Sequence, residues 1–312
     1  MEMLRRIKIE YGFSSLAWQK KDAVFNSDCG QKRIRFWRDR QLLHWHIRWR
    51  DRVSKQSGFL LDRMIRTKNQ EPYFISERGI VTVHDEITEA YDYKGEEKTF
   101  AQLIATMLKN GKELSGKKYQ PRFIQTKQLP LQRTEKAFDQ LTVLDSMTTL
   151  IFERSIREAK RRRHLAYSLQ KAASENSTPI LLPMDSFTEA KQVFRHLFWK
   201  CGQEKPIKGY YPLRRFLEEW FEQNGEHSLR KLLTEIDLNF PLRGVEGKLL
   251  LAEFLQPYEL TDTVAAVRAM NSSEEITSAV EHYFKSWDLS RRLVQIISHW
   301  LEEEPSKKVV AT

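Results

Sequence analysis

The residues of this 312-residue chain that could do chemistry are eight histidines, two cysteines and a scatter of carboxylates. His44 and His46 flank Trp45 on a stretch with helical spacing, so they face different directions and make no metal pair. His196 sits in an apolar run and reads as a packing residue. None of His44, His46, His84, His164, His196, His227, His282 and His299 has an aspartate two residues on; His84 and Asp85 are adjacent. Cys29 and Cys201 lie in no CxxC or Cys/His cluster, which excludes a disulfide framework and a structural zinc site. No base is near Cys201 in sequence to activate it. Asp237, Asp262 and Asp288 read as helix-terminal or turn residues, where aspartate is favoured. Asp185 follows Leu181-Leu182-Pro183-Met184 without a basic or amide partner. There is no Walker loop, GxGxxG, HExxH or GxSxG.

Composition bounds the rest. The formal charge is +10 and the pI about 9.4, which suits contact with anionic surfaces without naming one. An apolar fraction of 40%, with 8 Trp and 17 Phe, supplies a sizeable core, and the length favours two lobes over one. The first residues are charged, without an apolar leader, and no window reaches the roughly eighteen apolar residues of a membrane span. With only two cysteines, the expectation is a protein made and kept inside the cell.

The stretch from Phe59 to Leu108 organises the chain. Tyr73 to Ser76 and Ile80 to Glu86 read as antiparallel strands around the short loop Glu77-Arg78-Gly79. A helix follows with Phe100, Leu103, Ile104, Met107 and Leu108 on one side. Before it, Ile7 to Tyr11 reads as a weak strand, and Ala23 to Asn26 with Ile34 to Trp37 as a hairpin. A helix from Asp39 to Ser54 carries Leu42, Trp45, His46, Trp49 and Val53 as its apolar stripe. Its Arg48, Arg50, Arg52 and Lys55 read as a solvated face. After the junction, strand signals are weak. One or two helices are expected from Thr134 to Lys171, with Arg154, Arg157, Lys160, Arg161, Arg162 and Arg163 exposed. A capping box of Ser186 and Glu189 predicts a helix through Phe187, Ala190, Val193, Phe194 and Leu197. Pro212 opens the next helix, and further helices are expected near 227–236, 244–255, 260–270, 273–286 and 288–303.

These stretches resemble the CotS-type spore-coat proteins, a branch of the aminoglycoside-phosphotransferase-like part of the protein-kinase-like superfamily. The likeness rests on Thr67-Lys68 before Tyr73-Phe74-Ile75 and Val81-Thr82-Val83, then the acidic connector Asp85-Glu86-Ile87-Thr88-Glu89. Two later passages add to it, Lys205 to Leu217 and Pro241 to Leu251. The resemblance implies an α+β, bilobal protein-kinase-like fold: a small antiparallel-sheet N-lobe over 1–90, a larger helical C-lobe over 91–304, and a frayed tail over 305–312. Phosphoryl transfer on that fold needs a small-lobe lysine on the phosphates, a catalytic-loop aspartate with a downstream asparagine, and an aspartate for magnesium.

Arg35 takes the lysine position, with Lys32 as the alternative; arginine is a poor replacement for a compact ammonium. The helix from Asp39 to Ser54 has no glutamate to pair with it. With no His-x-Asp and no Asp-Phe-Gly-like element between His196 and Pro206, the sequence predicts no catalytic residue, no metal site and no cofactor. Arg35, Asp85 and Asp185 remain as vestigial candidates. The expectation is therefore a non-enzyme, a pseudokinase acting as a structural or assembly protein. By the resemblance, it is made in the mother-cell cytoplasm and deposited on the bacterial endospore coat, with other coat proteins or an acidic protein surface as partners. Two alternatives stand beside it. One is a small-molecule phosphotransferase with displaced catalytic residues, Asp185 or Asp237 serving as base. The other is a nucleic-acid-binding protein using Arg33 to Arg52 and Arg154 to Arg163.

Overall fold

A computed structural model describes residues 2–115, 146–173, 178–184, 189–267, 270 and 272–303. The chain divides into two compact units, Met1–Ile124 with Thr178–Pro212, and Gln125–Ser177 with Leu213–Thr312. This division follows compactness, whereas the lobes expected from sequence, 1–90 and 91–304, follow chain order. The fold class is α+β, a small antiparallel sheet with a mostly helical remainder, as the resemblance implied.

The first unit begins with α1 (Glu2–Tyr11), where the sequence predicted a strand at Ile7 to Tyr11. Met3, Leu4, Ile7 and Tyr11 recur at helical spacing and pack together with Phe25, Ile34, Val81 and Val83. Those partners lie on a five-stranded antiparallel sheet in the order β1-β2-β3-β5-β4. Its strands are β1 (Leu16–Lys20), β2 (Val24–Ser27), β3 (Gly30–Trp37), β4 (Phe74–Ser76) and β5 (Gly79–Asp85). Alternation sends Ile34 and Val83 to the α1 face, and Arg33 and Arg35 to the other. Register pairs Arg33 with His84 and Arg35 with Thr82, so the second face is polar although it is buried.

That polar face meets α2 (Arg40–Ser57), capped by Asp39, whose carboxylate accepts from the backbone of Gln41 and Leu42. The expected stripe of Leu42, Trp45, His46, Trp49 and Val53 is buried. Arg48 and Lys55 face water, but Arg50, expected among them, is fully buried. Gly58 ends the helix at φ +75°, and the chain turns back so that the Leu61 N–H donates to Ser54 Oγ at 3.0 Å. The turn leaves Asp62 beneath Arg50.

The same unit holds α3 (Glu97–Ser115), with Phe100, Leu103, Ile104, Met107 and Leu108 buried as predicted. It also holds two small antiparallel pairs: β6 (Ile180–Leu181) with β9 (Ile207–Lys208), and β7 (Ala190–Val193) with β8 (His196–Trp199). The helix predicted from Ser186 to Leu197 is thus corrected to a hairpin over its described part; Ser186 and Phe187 lie outside the described residues. Tertiary pairing overrides the helical spacing here. Gln192 N–H donates to Glu89 O at 3.2 Å, and Leu60 exchanges backbone bonds with Leu197 and Trp199 at 3.1 and 3.0 Å. Phe194 and Arg195 make the turn with φ of +47° and +64°, a conformation that no helix allows.

The second unit is helical among its described residues: α4 (Ser146–Lys171), α5 (Tyr211–Asp237), α6 (Gly247–Phe254), α7 (Tyr258–Val267) and α8 (Ser273–Glu302). Gly225, at φ +77° and ψ −178°, breaks α5 between the two helices predicted there. Conversely, the two helices predicted over 273–303 are one. No Gly or Pro interrupts that stretch, and Trp287 packs beside Tyr283 and Phe284 against the cluster of Phe152, Leu260 and Val264. Asp262 and Asp288 therefore sit inside helices rather than at their ends, while Asp237 closes α5 by accepting from the Arg243 N–H at 2.9 Å. Arg162, predicted to be exposed, is buried: it meets Glu259 at 2.6 Å and Ser290 Oγ at 2.7 Å. Among the described residues no helix is long and apolar enough to cross a membrane.

Candidate functional site

The first unit contains a buried charge cluster centred on a residue that the sequence reading passed over. Asp62 is fully buried, with φ +40°. Its carboxylate meets Arg33 and lies 3.3 Å from Arg50 and 3.6 Å from Arg35. It also accepts from His84 Nδ1 at 3.1 Å and from the Cys201 backbone N–H at 3.1 Å. Arg33 reaches further, to Glu86 at 3.0 Å and the Asp85 carbonyl at 2.7 Å.

The proton positions follow from the donors. Trp37 Nε1 can only donate, and it gives to Thr82 Oγ1 at 2.9 Å; the Thr82 hydroxyl then gives to His84 Nε2 at 2.8 Å. The ionised Asp62 carboxylate can only accept, so the neutral ring of His84 carries its proton on Nδ1, facing Asp62, and leaves Nε2 to accept from Thr82. Burial pushes the His84 pKa below its ordinary value against the pull of Asp62, so the ring is neutral at neutral pH. Burial would raise the Asp62 carboxyl, but His84, hydrogen-bonded to it, and then Arg50 and Arg33 overcome that and hold it well below the usual carboxylate range. With His84 neutral, the standing countercharges are Arg50 and Arg33.

Three guanidiniums thus gather on one fully buried carboxylate, with Glu86 taking part of the charge of Arg33. Arg35 is the least satisfied of them. Its one ion pair, at 3.6 Å, is the longest of the three to Asp62, and burial with Arg33 and Arg50 nearby lowers its pKa. It stays cationic all the same.

Arg35 also lines a cavity of about 360 Å³, together with Pro183, Glu189, Trp199, Lys200, Gly202 and Glu204. Two basic and two acidic residues thus line one space, the Lys200 ammonium lying 3.7 Å from Glu86. The segment after β8 that supplies part of the wall is tied residue by residue. Arg50 donates to Gly202 O at 2.6 Å, Gln203 Nε2 to Phe36 O at 2.8 Å, and His46 Nε2 to Glu204 O at 3.0 Å. The Glu204 carboxylate folds against Gly202 so closely that a Cβ there would overlap it. Burial pushes the Cys201 thiol up to about 11, which removes it as a nucleophile.

Of the residues singled out from sequence, Arg35 is at the cavity. Asp85 ends β5 and pairs with Lys32 at 2.9 Å, away from the cavity lining. Asp185 lies outside the described residues. His196 is exposed, not a packing residue. Among the described residues no group of three or more His, Cys, Asp or Glu is placed to hold a metal ion. The residues missed are Asp62, Arg33, Arg50, Glu189, Lys200 and Glu204. One signal was available: Asp62 is the lone carboxylate between Asp51 and Glu71, set in an apolar run and flanked by five basic residues.

No protein-family model matches the chain, and no curated protein matches it. Solved structures do. An aminoglycoside phosphotransferase from Alicyclobacillus acidocaldarius is similar with a TM-score of 0.62 at 11% identity, covering 95% of each chain. The AMP-bound spectinomycin phosphotransferase APH(9)-Ia gives 0.57 at 12%, covering 95% of this chain and 97% of that one. A microcompartment-associated aminopropanol kinase gives 0.57 at 10%, covering 95% and 98%. The chain therefore has the kinase-like fold of the aminoglycoside phosphotransferases. The neighbours share the fold that the resemblance implied, and nothing in them bears on its spore-coat branch. They also correct the expectation of a non-enzyme. The solved structures that share this fold along almost the whole chain are phosphotransferases and kinases, which runs against that expectation.

Proposed function

We propose that the chain is a small-molecule phosphotransferase whose phosphate-handling carboxylates have moved from their usual places in the sequence. The observation that carries this reading is the cavity where Arg35 and Lys200 share a wall with Glu189 and Glu204. Transferred phosphoryl and leaving nucleotide carry several negative charges, and catalysis consists mainly of positioning them against fixed cations. Arg35, with its guanidinium short of partners, binds a phosphate oxygen, and Lys200 supplies a second cation.

The donor set fits a magnesium ion as well. Magnesium takes one or two protein carboxylates and fills its remaining positions with water and phosphate oxygens, so Glu189 and Glu204 suffice. When bound, the ion would neutralise charge on the phosphates. Of the two aspartates weighed as base, Asp237 is committed to closing α5 and to Arg243, 3.5 Å from its other oxygen. Asp185 is therefore assigned to take the proton of the acceptor hydroxyl. Spectinomycin and aminopropanol, the compounds in the neighbours' names, are the first acceptors to try.

The test is ADP release from ATP and magnesium with a panel of hydroxyl-bearing amines, for the wild type, Arg35→Ala and Asp185→Asn. Turnover that falls at least about a hundredfold in both variants is expected, as befits a charge clamp and a base. Turnover unaffected by either change would overturn the assignment of these residues.

A further inference from the structure

We propose that Asp62, with Arg50 and His46 of α2, forms a latch that positions both working walls of the cavity. It holds Arg35 on one side and the backbone of residues 201–204 on the other. The kinetic part of this inference rests on the phosphotransferase reading; the structural part does not.

The connections fall at residues 201, 202 and 204, one donated by the segment and two accepted by it. The Cys201 N–H enters the Asp62 carboxylate, the Gly202 carbonyl takes a hydrogen bond from Arg50, and the Glu204 carbonyl takes one from His46. Arg50 joins the three, because its guanidinium also donates to His46 Nδ1 at 3.0 Å and to the Asp62 carbonyl at 3.0 Å. Since arginine only donates, His46 Nδ1 accepts and its proton is on Nε2, aimed at Glu204 O. His46 thus has both ring nitrogens engaged, one on α2 and one on the segment after β8.

Two features mark this as more than packing. The Asp62 backbone sits at φ +40°, a region that non-glycine residues seldom occupy and that persists where surroundings impose it. A buried carboxylate among guanidiniums is also no better for stability than apolar residues of similar volume. What it supplies is a fixed direction for each donor. Gly202 completes the device. Without a side chain it lets the Glu204 carboxylate fold back against its Cα, so the tie on the Glu204 carbonyl also sets the carboxylate. Movement of α2 would then shift Arg35's anchor and Glu204 together, so that cation and carboxylate stay in step.

The test compares His46→Ala with His46→Gln, because a glutamine amide can accept from Arg50 and donate to Glu204 O. Two quantities are read: backbone amide hydrogen exchange over residues 201–204, and kcat and KM for ATP. With His46→Ala, exchange there should quicken by about tenfold or more while α4–α8 keep their protection. The kcat should fall about tenfold, with the KM for ATP changed less than about threefold, because misplacing Glu204 acts on the charge that develops during transfer. His46→Gln should restore both to within about threefold. Unchanged exchange in His46→Ala, or no rescue by glutamine, would overturn the latch. If the wild type turns over no ATP while exchange responds as expected, the phosphotransferase reading fails and the latch stands. Should His46→Ala not fold, Arg50→Lys serves. Lysine can meet Asp62 but cannot also reach Gly202 O and His46, and faster exchange at 201–204 supports the latch while unchanged exchange refutes it.

Discussion

Asp62→Ala should cost about 3–5 kcal/mol and leave the first unit close to unfolded at neutral pH, because removing one partner of a buried ion cluster strands the others. Here the stranded groups are Arg33, Arg35 and Arg50, together with the Cys201 N–H and His84 Nδ1. Asp62→Asn keeps an acceptor for the backbone N–H and loses only the charge, so it should fall between wild type and Asp62→Ala. Urea denaturation followed by tryptophan fluorescence measures the difference. Equal stability of all three proteins would mean that the arginines do not need the carboxylate.

The same cluster fixes the sign of the pH dependence. Asp62 titrates lower in the folded chain than its unfolded value of about 3.9, so its contribution is complete above that value and is lost as pH falls below it. His46 and His84 are also depressed, His46 by burial and then Arg50, His84 by burial against Asp62. Both favour the neutral ring in the fold. Their contribution is present above the unfolded value of about 6.5 and is lost as the unfolded chain takes up protons below it. Stability should therefore decline in two stages on acidification, and Asp62→Asn should lack the lower one.

Arg162→Met is the second large effect, in the other unit. Arg162 and Glu259 are each about 4% exposed in their side chains, and Arg162 also donates to Phe254 O at 3.0 Å and Ser290 Oγ at 2.7 Å. Methionine fills the volume and leaves Glu259 with Arg214 alone, 3.7 Å away. A loss of about 3 kcal/mol is expected, read as a lower urea midpoint. Adding Glu259→Gln should return part of it, since the stranded charge disappears with the second change. A double variant less stable than the sum of the two singles would show that the pair is not the source.

Much of the architecture was legible because it rests on local signals. Asp39 caps α2, Gly58 and Gly225 interrupt helices with positive φ, and the strands around Gly79 alternate as their apolar residues demand. The β7–β8 hairpin was not legible. Its helical spacing is real, but bonds to Glu89 and Leu60, far off in sequence, decide the outcome. The site failed for a related reason. Arg50 and Arg162 carry no local mark separating them from Arg48 and Arg161, because what buries them is a carboxylate 12 residues away in one case and 97 in the other. A search for carboxylates at familiar spacings likewise misses Glu189 and Glu204, which reach one cavity only after β7 and β8 pair.

Calorimetric titration of the wild-type chain with ATP, with and without magnesium, tests the central claim most directly. Binding in the micromolar range that weakens at least about tenfold when magnesium is withdrawn is expected, because Glu189 and Glu204 otherwise repel the phosphates. No heat of binding at millimolar ATP in the presence of magnesium would contradict a phosphotransferase.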